Sequence, residues 1–227
     1  MTCPAVVAAG HRTPLAALGV HRVALIGDSI MDQASCSIAD SLRDVGIQTS
    51  RHALGGTGLL TGLVDWVDAT KQILQIEKPD VVVAIFVGNY FPPPVRDANG
   101  AIVEVDTPAF YRAWQDRAEM LSREVHAANA RMYWVSPPPI TDPSLAHAER
   151  LFAGYRTLDG DHFLSSGQVL TGAHDSVVMT KETCGRRRII RTSDGIHLTD
   201  DGARIYGQQI AHDLTANLGI LTTPRPC

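Results

Sequence analysis

The chain has 227 residues, of which 44% are apolar and 19% charged, with a formal net charge of −4. That balance suits one domain with a sizeable buried core and excludes a disordered chain. Mild acidity gives no ground for a nucleic-acid partner, and no apolar run nears the roughly 18 residues of a membrane-spanning helix.

Residues 1–20 read as an N-terminal extension. No basic run precedes its apolar stretch, and His11, Arg12 and Pro14 interrupt it, so it makes a poor secretory signal. RVALIG (22–27) reads as a first buried strand, followed by a helix over about 31–45 that ends near Gly46. A second strand is expected at 47–52, then the glycine-rich LGGTGLLTG (54–62). In LVDWVDATKQILQI (63–76), Leu63, Val64, Val67, Ile73, Leu74 and Ile76 recur at helical spacing. Pro79 stops that helix, and DVVVAIFVGN (80–89) reads as the clearest buried strand.

The segment 90–106 reads as a long connection in which Ala-Asn-Gly turns a small hairpin. Thr107-Pro108 supplies an N-cap and a proline at the first helical position, opening a helix that carries Phe110, Trp114, Leu121 and Val125 inward. RMYWVSPPP (131–139) is a further strand, and Asp142-Pro143 opens a helix to about Tyr155. Residues 157–190 read as irregular, with LDGDHF (158–163) as a surface turn. The run Arg186–Arg188 reads as a solvated face able to attract an anionic substrate locally. A last helix is expected over about 200–218. Short apolar runs alternating with amphipathic segments predict an α/β domain, a parallel sheet flanked by helices. It spans 21–219 and leaves a C-terminal tail at 220–227.

Cys3, Cys36, Cys184 and Cys227 form no C-x-x-C pair and hence no zinc or redox motif; four free thiols in a cytoplasmic protein are expected, with disulfides in a secreted one as the alternative. Nine histidines occur without H-x-H or H-E-x-x-H, so no metal site and no cofactor are expected. Ser29 directly follows the first strand, where ligands bind in an open α/β sheet, and reads either as a helix cap or as a nucleophile. A nucleophilic serine needs a base. Asp194 and His197 lie three residues apart, a spacing that lets the carboxylate hold the imidazole Nδ1 proton while Nε2 faces a serine. Oxyanion donors are available in GGTG (55–58) and at Asn89 in VGNY (87–90).

GDSI (27–30), the glycine of GGTG, GNY (88–90) and DGIH (194–197) occur in the order of the four blocks of the SGNH hydrolases. The chain resembles that GDSL-type lipase and esterase superfamily over about residues 22–215. The resemblance implies a three-layer α/β/α fold with a flavodoxin-like parallel sheet of about five strands. It also implies Ser29 as nucleophile, His197 as base, Asp194 as orienting acid, and an oxyanion hole from the Ser29 amide, a glycine amide aligned to Gly58, and Asn89. Tyr90 stands where the family commonly has Asp, so Tyr90 and Phe91 are expected to wall the substrate site. CGRRRIIRTSDGIHLTDDGARIYG is similar to SGNH domains associated with carbohydrate O-acyltransferases. The expected partner is therefore a small acyl ester or acylated sugar. Two alternatives accompany the esterase reading: an acyltransferase using the same acyl-Ser29, and a non-catalytic carbohydrate-binding module.

Overall fold

A computed structural model describes residues 19–60, 62–90, 94–140 and 142–220. Of the expected extension and tail, only residues 19, 20 and 220 fall within it. The elements run β1 (Arg22–Gly27), α1 (Ser29–Asp44), β2 (Gln48–Ala53), α2 (Trp66–Glu77), β3 (Val81–Ile85), β4 (Val95–Arg96), β5 (Ile102–Val103), α3 (Pro108–Ala127), β6 (Arg131–Val135), α4 (His147–Tyr155), β7 (His162–Leu164), β8 (Thr180–Thr183), β9 (Arg186–Ile189) and α5 (Asp200–Asn217).

The central sheet has five strands in the order β2-β1-β3-β6-β7, all parallel. This order reverses between β1 and β3, and the carboxyl ends of strands at such a switch point form a ready crevice. The strands alternate between two cores. Val23 and Leu25 of β1 join Val81, Val83, Ile38, Leu42, Ile210 and Leu214 on the α1/α5 side. Ala24 and Ile26 join Val82, Ala84, Trp66, Leu74, Trp114 and Leu121 on the α2/α3 side. A strand buried on both faces reads as a continuous apolar run, as β1 and β3 do. Each fully buried Ile or Leu contributes roughly 1.5–3 kcal/mol.

The helices begin where side-chain oxygens take up otherwise unpaired amides. Asp65 Oδ1 accepts from Val67 and Asp68 at the start of α2, Thr107 Oγ1 from Phe110 at α3, and Thr199 Oγ1 from Gly202 at α5. No helix among the described residues is long and apolar enough to cross a membrane.

Four expectations change. The helix expected from Pro143 is split into a 3-10 turn, Pro143–Leu145, and α4, because Asp142 Oδ1 accepts both the amide and the hydroxyl of Ser144 and closes a tighter local turn. LDGDHF is a surface turn only at Asp159–Gly160. Asp161 Oδ2 accepts from Ser122 Oγ at 2.5 Å and Trp134 Nε1 at 2.8 Å, and the next residues form the edge strand β7. The stretch read as irregular contains the β8–β9 hairpin, whose polar strands carry no apolar alternation to reveal them. Cys36 and Cys184 are disulfide-bonded rather than free.

Candidate active site

Gly27 ends β1 in a conformation that favours glycine, at φ 155°, and a Cβ there would meet Ile85 O at 2.2 Å. The bare backbone lets the chain turn against β3, and the Asp28 amide donates to Ile85 O at 3.2 Å. Asp28 is fully buried. Its Oδ1 accepts the Ile30 amide at 3.1 Å, which makes Asp28, not Ser29, the N-cap of α1. Its Oδ2 accepts the amides of Val87 at 2.6 Å and Gly88 at 2.8 Å, tying the end of β1 to the loop after β3. Burial pushes this carboxyl up to about 6, against the pull of the Gly88, Ile30 and Val87 amides and the His197 charge.

Ser29 is thereby the first residue of α1, half-buried, its amide at the positive end of the helix. Across the crevice, Asp194 sits in a turn shaped by Gly195 at φ 70°. Asp194 Oδ1 accepts Thr192 Oγ1 at 2.6 Å and the amides of Ile196 and His197 at 2.9 and 3.0 Å. Its Oδ2 takes the His197 Nδ1 proton at 2.6 Å, leaving Nε2 to accept from Ser29 Oγ at 3.0 Å. The slight burial of Asp194 raises its carboxyl. Hydrogen bonds from Thr192, His197 and the two amides outweigh that and hold it well below the usual carboxylate range. Ser29, His197 and Asp194 therefore form a connected chain of hydrogen bonds.

Two residues that sequence reasoning passed over act on this chain, Gln33 by hydrogen bonds and Arg191 by charge. Gln33 Nε2 donates to Leu198 O and Gln33 Oε1 accepts the Leu198 amide, both at 3.0 Å, clasping the residue after His197 to α1. Gln33 lies four residues beyond Ser29, on the same helix face, which is the one sequence signal that points to it. Arg191 is 1% exposed, and its charge acts on Asp194.

The donors assigned to an oxyanion hole divide. Asn89 sits at the end of the β3 segment, its backbone N–H and Nδ2 each donating to Thr57 O at 3.2 Å, which leaves a second Nδ2 hydrogen for a ligand. Thr57 is itself buried and held by Leu54 O and Trp66 Nε1. The glycine beside Ser29 is Gly55, where a Cβ would lie 3.5 Å from Ser29 Cβ. Gly58 instead packs on Gly88 Cα and the Tyr90 ring, at 3.0 and 3.2 Å from the position of its would-be Cβ. Among the glycines of GGTG, Gly55 borders the serine and Gly58 borders the Gly88 turn.

Tyr90 is 1% exposed, with its ring edge-on to Phe110 and His147 at 4.9 and 5.2 Å between centroids. It is a core residue behind the Gly88–Asn89 turn rather than a wall of the site, because the bare Gly88, where a Cβ would meet the ring at 2.2 Å, leaves room for it. Phe91 lies outside the described residues. A cavity of about 210 Å³, lined by Ile140, Asp142, Leu145, Ala148 and Phe152 among others, has Asp142 close enough to Asp194 for their charges to repel.

The profile of a family described as "Protein of unknown function (DUF459)" matches residues 22–213. No curated protein matches the sequence. Solved structures do match the fold. An acetylxylan esterase from Geobacillus stearothermophilus superposes with a TM-score of 0.58 at 13% identity, over 88% of this chain and 95% of that one. A psychrotrophic esterase from Pseudoalteromonas sp. gives 0.58 at 10% identity, over 88% and 99%. A GDSL-like lipase from Bacteroides thetaiotaomicron VPI-5482 gives 0.57 at 13% identity, over 87% of each chain. The architecture is the SGNH-hydrolase fold.

Proposed function

The chain belongs to the family described as Protein of unknown function (DUF459), and from its SGNH-hydrolase fold and the Ser29–His197–Asp194 contacts we propose that it is a serine ester hydrolase. The observation that carries the reading is the Ser29 Oγ to His197 Nε2 contact at 3.0 Å, continued by His197 Nδ1 to Asp194 at 2.6 Å. A free serine hydroxyl is scarcely nucleophilic at neutral pH, and this arrangement supplies the base and orients it.

In the proposed cycle, Ser29 Oγ attacks the acyl carbonyl as His197 Nε2 takes the hydroxyl proton. Asp194 stabilises the resulting imidazolium. Negative charge on the carbonyl oxygen is met by the Ser29 amide, Asn89 Nδ2 and an amide of the Gly55–Gly56 turn. His197 returns the proton to the departing alcohol, leaving acyl-Ser29. A water, deprotonated by His197, then attacks the acyl carbon; the acid leaves and Ser29 regains its proton.

The side chains of His197 and Asp194 are 37% and 43% exposed. Water reaches the acyl-enzyme readily at so open a site, which favours hydrolysis over transfer to a sugar hydroxyl. The substrate class we favour is a small O-acyl ester on a carbohydrate or polyol, a reading supported by the acetylxylan esterase among the structural neighbours. Disulfide-bonded Cys36 and Cys184 favour an oxidising compartment over the cytoplasm.

A serine-reactive phosphonate tests the nucleophile. One covalent adduct on Ser29 is expected by peptide mass spectrometry, absent from Ser29→Ala. Hydrolysis of p-nitrophenyl acetate and of acetylated sugars should fall on the order of 10⁴-fold or more in Ser29→Ala. Labelling elsewhere, or wild-type rates in that variant, would leave a carbohydrate-binding module as the better reading.

A further inference from the structure

The hairpin β8–β9 is closed by Cys184 and Gly185, both left-handed at φ 57° and 68°, the conformation of a two-residue type I′ turn. Its register sets Lys181 opposite Arg188 and Thr183 opposite Arg186. Alternation along the strands puts all four side chains on one face. Like charges directly across a strand pair weaken it, so this face carries a charge arrangement that the hairpin's own stability disfavours.

A cavity of about 320 Å³ is lined by Thr183, Cys184, Arg186 and Arg188 from this hairpin and by Arg204 of α5. One carboxylate pairs with two of the three arginines: Asp201 Oδ2 lies 3.3 Å from Arg188 Nη1, and Asp201 Oδ1 lies 3.2 Å from Arg204 Nη2. The cavity is therefore electropositive in a chain whose overall charge is negative. Two polar atoms of lining residues, Thr183 Oγ1 and Arg188 Nε, are buried with no hydrogen-bond partner among the described residues. Both donate, and buried donors are ordinarily paired. An acceptor oxygen within the cavity would satisfy them.

We propose that this cavity binds an oxyanion group, a phosphate, sulfate or carboxylate, carried by a small ligand. Arg186 and Arg188 supply the main contacts, with Arg204 beside them and the Thr183 hydroxyl as a neutral donor. Guanidinium forks match the paired oxygens of such groups, and Asp201, one carboxylate against three arginines in the lining, orients two of the forks without neutralising the set. The hairpin is braced on the segment that bears the base: Thr199 Oγ1 donates to Ile189 O at 2.5 Å, and Thr192–His197 follow directly. The proposal stands on the cavity and not on the reaction assigned to Ser29.

Calorimetric titration of the full chain with inorganic phosphate, sulfate and acetate at low ionic strength tests it. Saturable binding of at least one is expected, weakened tenfold or more in Arg186→Ala/Arg188→Ala and unchanged in Arg43→Ala, an arginine paired with Asp40 on α1. Preference for phosphate or sulfate over acetate would identify a tetrahedral group, and the reverse a carboxylate. Asp201→Asn should bind several-fold more tightly, a gain that a folding defect does not produce. Absence of saturable binding for all three anions, or equal affinity in the double variant, would overturn the assignment.

Discussion

The Asp28 carboxylate accepts the Gly88 amide at 2.8 Å, across sixty residues of chain and between adjacent strand ends. That bond and its neighbours, to Val87 and Ile30, make one buried side chain the register pin for both halves of the site. It starts the helix that presents Ser29, and it fixes the turn that presents Asn89. The glycine before it is needed for the close approach to Ile85, so the Gly27-Asp28-Ser29 triplet is a structural unit as much as a chemical one.

Asp28 makes stability depend on pH in an unusual direction. Its carboxyl is raised from 3.8 to about 6, so its contribution to folding is fully present below 3.8 and lost as pH rises through about 6. A shift of that size corresponds to on the order of 3 kcal/mol. In urea denaturation the advantage of wild type over Asp28→Asn should grow as pH falls from 7 to 4. A difference that stays flat would show that the three amide hydrogen bonds offset the cost of burial.

Gln33 is expected to act on turnover through position alone. Its two bonds to the Leu198 backbone hold the segment carrying His197, and a misplacement near 1 Å costs about 10²-fold in rate. Gln33→Ala should lower kcat about 10- to 100-fold with KM little changed, and lower stability by about 1–3 kcal/mol. Gln33→Glu keeps the acceptor for the Leu198 amide and should recover part of the rate. A change confined to KM would place Gln33 on the substrate instead.

The parts legible in the sequence were those whose local chemistry repeats the tertiary outcome. Val23–Ile26 and Val81–Ile85 are apolar because both sheet faces are covered, so the strands announce themselves. Thr107 and Thr199 mark helix starts for the same local reason, whereas Asp65 lies inside the segment read as helical and the helix begins only after it. Asp194 and His197 were readable because three residues and one turn bring them together. What stayed hidden depends on distant chain. Asp28 looks like any acidic cap until β3 delivers two further amides, and the burial of Tyr90 follows from the backbone at Gly88. The β8–β9 strands earn no apolar signal because they cover no core.

Asn89 has one hydrogen of Nδ2 committed to Thr57 O and one available. If the second meets the developing oxyanion, Asn89→Ala should reduce kcat by about 10²–10³-fold. Asn89→Asp keeps the size but replaces the donor by a charge of the wrong sign, and should be at least as damaging. Ester hydrolysis within twofold of wild type in both variants would remove Asn89 from the hole.

Tyr90 separates a structural role from a binding one. Its ring is 1% exposed and packs against Gly58, Gly88, Phe110 and His147, so truncation opens a cavity behind the Asn89 turn. Tyr90→Ala should cost about 3–5 kcal/mol in stability, in the range of large aromatic deletions, and lower kcat by loosening that turn. The Tyr90 hydroxyl is buried beside Trp114 and the Leu59 backbone, so Tyr90→Phe should cost about 0.5–1.5 kcal/mol in stability and keep its KM for every ester tested. A KM raised several-fold in Tyr90→Phe, with stability unchanged, would return Tyr90 to the substrate, since only a hydroxyl that meets the ligand could produce that pairing.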